Sequence, residues 1–150
     1  MTRPSAAAVF ALALGVAALS CRGGAAHPSS VDPRNDACRS CRMPVSDPRL
    51  AAQIAAPGED AIFFDDLGCL RDFLARNPTQ RAGAIAFVAD RRDGTWTRAA
   101  GARFFRCPAV ETPMGSHLIA QGGDGAPAPG CTAVAGVEIL GPGGPPGGKP

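Results

Sequence analysis

Cys38 and Cys41 stand three apart in "CRSCRMP", with the thioether of Met43 two residues further on and a proline closing the run. Two thiols at this spacing can form a redox couple, half of a zinc site, a haem attachment point or a soft-metal grip. Haem attachment needs a histidine directly after the second cysteine, and Arg42 stands there. A thioredoxin-like couple needs the motif to open a helix, whose N-terminus stabilises the thiolate. Pro44 and Pro48 follow too closely for a long helix to start there. Structural zinc needs four ligands, usually from two knuckles. No second C-x-x-C or H-x-x-x-H exists, although Cys69 and His117 can complete a set, and zinc stays open. Cu(I) fits better, because it is soft, accepts few ligands and prefers thiolate and thioether sulfur. Beyond Met1 the chain has two methionines, Met43 and Met114. Both sit among Pro, Gly, Ser and Arg, a loop setting unlike that of a core-filling methionine. His117, three residues after Met114, is a further possible ligand.

Of six cysteines, Cys21 stands apart. Arg3 and the apolar run Ser5 to Ser20 read as a secretory leader over residues 1–20, short for a membrane span. "ALSC" places a small residue before Cys21, as in a bacterial lipobox, so Cys21 is read as the lipidation site and membrane anchor. The chain is expected to work outside the cytoplasm, facing the periplasm. Five cysteines then remain, an odd number that leaves at least one thiol free or bound to a ligand. The 15 basic side chains, one of them Arg3 in the leader, nearly balance 13 acidic ones, and nothing points to nucleic acid. No Ser-His-Asp set, phosphate loop or paired-carboxylate site is evident, and the two histidines, His27 and His117, offer little for catalysis. The expected class is a binding protein, not an enzyme.

The elements around these residues follow from pattern. Residues 21–36 have linker composition, and the Gly/Pro run 141–150 reads as a disordered tail, leaving 37–140 as the folded part. "RLAAQIAA" and "AIFF" read as strands. Asp65 or Asp66 caps a helix in which Leu67, Leu70, Phe73 and Leu74 share a face, and Asn77-Pro78 ends it. Within that helix Cys69 reads as a small buried side chain. "AIAFVAD" and "TWTRAA" form a hairpin, and "ARFFR", "HLIAQ" and "GVEIL" read as further strands. Strands grouped around one helix indicate a small α+β fold.

Three separated stretches, "CRSCRM", "FFDDLGC" and "TPMGS", together with the lipobox, resemble the NosL-type accessory lipoproteins, copper chaperones for nitrous oxide reductase. The resemblance spans about residues 37 to 121. It implies a periplasm-facing lipoprotein that binds Cu(I) and delivers it, with an ABC-type transporter complex, towards nitrous oxide reductase. It implies two related ββαβ-like lobes, and ligation by Met114 with Cys38, Cys41 and Met43. Members of that family commonly carry glycine where this chain has Arg42, and a small residue where it has His117. The second lobe looks eroded, since Pro127, Pro129 and the glycines between 122 and 136 leave little room for its helix. Cys107 and Cys131 bracket that lobe, and a disulfide between them is expected to replace lost core burial. Two other readings remain: a cell-envelope thiol-disulfide protein using Cys38 and Cys41, and a structural lipoprotein.

Overall fold

Apolar runs and their two-residue period generate the strands. A computed structural model describes residues 24–79 and 83–142. The expected leader over 1–20, Cys21 and all but the first two residues of the tail 141–150 lie outside the described residues. In chain order the elements are β1 (Ala52–Ala55), β2 (Ile62–Phe64), α1 (Leu67–Arg76), β3 (Ile85–Ala89), β4 (Trp96–Arg98), β5 (Arg103–Arg106), β6 (Leu118–Gln121), β7 (Thr132–Val134) and α2 (Gly136–Leu140). They build two antiparallel sheets, in the orders β2-β1-β3-β4 and β6-β5-β7.

The two sheets repeat one plan. In each, the first strand lies in the middle, its hairpin partner on one side and the third strand on the other. Between β2 and β3 runs α1, whereas between β6 and β7 the chain has no helix. This is a small α+β fold of two related lobes, the second with its helix eroded.

Period-two alternation sorts the side chains. Ala52, Ile54, Ala86 and Val88 join Leu67, Leu70 and Leu74 of α1 and Phe104, Leu118 and Ala120 of the second sheet in one core. Ala55, Ile85 and Phe87, on the opposite face, pack on Ala26. Here the expected tether over 21–36 is corrected in its described part. Ala26 is buried, and Ser29 exchanges two hydrogen bonds with the buried Gln53 side chain, at 2.8 and 2.9 Å. Val31 packs beside Val45 and Phe63. Linker composition does not exclude docking where a two-sided apolar sheet needs a cover.

The last expected strand is also corrected. "GVEIL" is the short helix α2, and the third strand of the second sheet is Thr132–Val134, a segment not read as a strand. The edge of β5 is taken by β7, with Phe104 opposite Val134. Val137 is then left exposed and Ile139 fully buried, a split between positions two apart that a strand face does not give. Gly141, at φ 72°, ends the helix.

Asp90 joins the lobes. Its buried carboxylate accepts from Arg92 Nε and Nη2 (2.9 and 2.6 Å) and from the Gly122 amide (2.8 Å) just beyond β6, while the Arg91 amide donates to the Ala120 carbonyl. Hydrogen bonding from Arg92 outweighs burial and, with the Arg92 and Gly122 amides, holds this carboxyl well below the usual carboxylate range. A depressed folded-state pKa contributes stability present above the unfolded value, about 3.9, and lost as pH falls below it. Asp90→Asn is therefore expected to lose about 2 kcal/mol at pH 7. In urea unfolding, the gap to wild type should narrow as pH is taken from 5 towards 2; a gap constant with pH would remove the charge from this account.

Candidate metal centre

The loop of "CRSCRMP" closes on itself. The Cys38 amide donates to the Met43 carbonyl (2.8 Å), the Arg42 amide to the Cys38 carbonyl (2.9 Å), and Ala37 pairs antiparallel with Pro44. The Arg39 amide donates to the Phe63 carbonyl at 2.8 Å and fixes the loop to β2. Reversal in so few residues puts Arg42 in the left-handed region, at φ 68°. A side chain there costs about 1–2 kcal/mol, part of which glycine would return as unfolded-state entropy. Arg42→Gly is accordingly expected to stabilise the chain by about 0.5–1 kcal/mol, and Arg42→Ala, which keeps the Cβ, to give no such gain. Thermal unfolding of the two variants side by side tests this; equal midpoints would mean the loop carries no strain.

Asp65 and Asp66, both buried, hold the other pieces around this loop. Asp65 accepts from the Ser46 amide (2.7 Å) and hydroxyl (3.1 Å), fixing the chain that leaves Met43. Asp66 is the cap of α1: its Oδ1 accepts from the Gly68 amide at 2.6 Å. Its Oδ2 accepts from the Met114 amide at 3.1 Å, across 48 residues of sequence. The "TPMGS" segment thus sits on the first turn of α1, where a Cβ on Gly68 would come within 2.9 Å of Ser116 Cβ. That segment turns through Gly115, at φ 65°, whose amide donates to the Thr112 carbonyl.

The result brings Cys69, in the first turn of α1, against Cys38 and Cys41. All three are free thiols, and their sulfurs lie within 4.8 Å of one another. Cys38 and Cys69 are buried and Cys41 half-buried. Bonds of about 2.3 Å from three thiolates to one metal space the sulfurs about 4 Å apart, so only small shifts separate this trio from a ligand set. Met114 and Met43 are 53% and 57% exposed, and both border a hollow of about 560 Å³ that also reaches Cys41. Met114 further borders a second hollow with Cys41 and Cys69.

His117 lies outside both hollows. At φ 55° its amide donates to Thr112 Oγ1, and its ring Nδ1 lies 2.9 Å from the Val110 carbonyl. The structure therefore gathers Cys38 and Cys41 with Met43 and Met114 at the edge, adds Cys69, and keeps His117 elsewhere. Cys107 and Cys131 form a disulfide at the far side of the second sheet's core.

The thiols divide by environment. Burial pushes the Cys38 thiol up, but the amides of Cys41, Asp65 and Ser40 and the Cys41 thiol bring it below the ordinary cysteine value. Burial raises Cys41, and the bond to Cys38 and its negative charge add to the rise. Burial first, then the hydrogen bond and charge of Cys38, push Cys69 well above the ordinary value. Cys38 is thus the most readily ionised thiol of the trio, with the other two raised beside it.

Taken together, the fold and this trio define a small two-lobed α+β protein with three thiols, at the seam of α1 and a loop, spaced so that they could hold a metal ion. No family model matches the chain, and neither a curated protein nor a solved structure is significantly similar to it.

Proposed function

We propose that this chain is a Cu(I)-binding protein of the cell envelope, a carrier and not an enzyme. In this reading Cys21 bears the lipid anchor, the domain faces the periplasm, and the cargo goes with an ABC-type transporter complex towards nitrous oxide reductase. The delivery route rests on the resemblance of "CRSCRM", "FFDDLGC" and "TPMGS" to the NosL-type lipoproteins.

One observation carries the metal: three thiol sulfurs within 4.8 Å of one another, with two exposed thioethers around them. Thioethers add affinity for a soft monovalent ion and little for zinc. A carrier must also release its ion, and a site made from loops with half-exposed methionines is open to a partner's ligands. The thiol-disulfide alternative needs an accessible thiolate. Cys38, the depressed thiol, is fully buried, and the more accessible Cys41 is raised instead.

The deciding experiment is an anaerobic titration of reduced protein with Cu(I) against a Cu(I)-specific chelator, with Zn(II) run beside it. One tightly held Cu(I), not matched by zinc, is the expected result. Met114→Ala should weaken it by about tenfold or more, at least as much as an outer-shell change does. No retention of Cu(I), with a readily cycling Cys38–Cys41 disulfide, would transfer the argument to the redox reading.

A further inference from the structure

The second hollow, about 490 Å³, is bordered by Cys41, Cys69 and Met114 and by Arg71, Arg76 and Arg106. Asp72 lines it too and pairs with Arg71, and Glu138 beside it pairs with Arg106, so the three cations outnumber their two carboxylate partners by one. Each guanidinium is steadied from the side: Arg76 by Ser40 Oγ (2.9 Å), Arg106 by the Ser116 carbonyl (3.1 Å) and Glu138 (3.2 Å), Arg71 by Asp72 (2.9 Å). With five donors apiece, they keep hydrogen-bonding capacity for an incoming anion. Fixed positive charges beside a cation site oppose the approach of a bare cation and favour that of an anion. A metal that arrives inside an anionic complex turns this opposition into attraction.

We propose that the hollow receives Cu(I) as the anionic complex of a small carboxylate-bearing thiol. This rests on the Cu(I) reading above and names the form in which the ion comes. The arginines take the carboxylates, for which the planar guanidinium fork is suited. The thiolates of the complex lie against Cys41 and Cys69. The volume lies within the range of small-molecule sites, about 300–1,000 Å³. The exchange balances without redox: two Cu–S bonds to the carrier thiolates break and Cu–S bonds to Cys38, Cys41 and Cys69 form. Each proton displaced from a protein thiol leaves on a departing carrier thiol or to solvent, and copper stays monovalent.

Two measurements on the reduced full chain test this. In the first, S-methylglutathione, which has the carboxylates but no thiol, is titrated into metal-free protein and followed by NMR. Saturable shifts at Arg76, Cys41 and Cys69 are expected, absent with S-methylcysteamine and absent in Arg76→Glu. In the second, Cu(I) transfer is timed from its glutathione complex and from its cysteamine complex. The glutathione route should be faster by about tenfold at low salt, and Arg76→Glu should bring the ratio to about one. A ratio near one in wild type, or no binding of S-methylglutathione, overturns the subsite. If S-methylglutathione binds through Arg76 but the chelator titration finds no Cu(I) held, the anion site stands and the copper reading falls.

Discussion

Cys69→Ser should lower Cu(I) affinity by about 100-fold or more, beyond the 10–100-fold that outer-shell changes produce. Serine is close in size, so the first turn of α1 and its Asp66 cap have no reason to move. What changes is the donor: a hard oxygen replaces a soft sulfur at one corner of the trio. A second readout separates lost ligation from general damage. Cys41 and Cys69 are both raised above the ordinary cysteine value, so in metal-free protein at neutral pH both carry protons that binding must release. Affinity should therefore climb with pH, and the slope of its logarithm should be smaller by about one per pH unit in Cys69→Ser than in wild type. A slope unchanged by the substitution would mean Cys69 holds no metal and merely fills space.

The case of Cys69 also marks the boundary of what the sequence discloses. Its burial is readable from its place in an amphipathic helix, and so is the cap, because an acidic residue before an apolar periodic run satisfies free amides. Its neighbours are not readable, since Cys38 approaches from a loop fixed to β2 by a backbone bond that any residue but proline at position 39 could make. Asp66 repeats the lesson: one oxygen serves the helix as pattern predicts, while the other reaches the Met114 amide. The two stretches "CRSCRM" and "TPMGS" were legible as loops bearing soft sulfur donors. The element that joins them was legible only as a helix start. The position of His117 was not legible: its backbone is left-handed and its ring Nδ1 lies 2.9 Å from the Val110 carbonyl. "GVEIL" failed because five residues are too few to tell period two from period 3.6. The strands β1 and β3 were clear because a sheet covered on both faces writes continuous apolar runs.

Replacing Cys107 and Cys131 together by alanine is expected to cost about 3 kcal/mol, and to lower the unfolding midpoint by about 10 °C. The bridge spans 24 residues, and in the chain-entropy model a loop of that length removes this much freedom from the unfolded state. Little else can substitute for it. β7 has three residues, none buried, and the segment between β6 and β7 carries no helix to bury against the core. Ile139 of α2 is the principal buried anchor beyond the bridge. The damage should accordingly be local: hydrogen exchange should accelerate at 132–140, while amides of α1 keep their protection. Cu(I) affinity should change little, because Cys38, Cys41 and Cys69 are held by β2, Asp65 and Asp66 and not by β7. Uniform loss of protection across both lobes would show that the bridge supports the whole core, and an unchanged midpoint would show that β5–β7 pairing suffices without it.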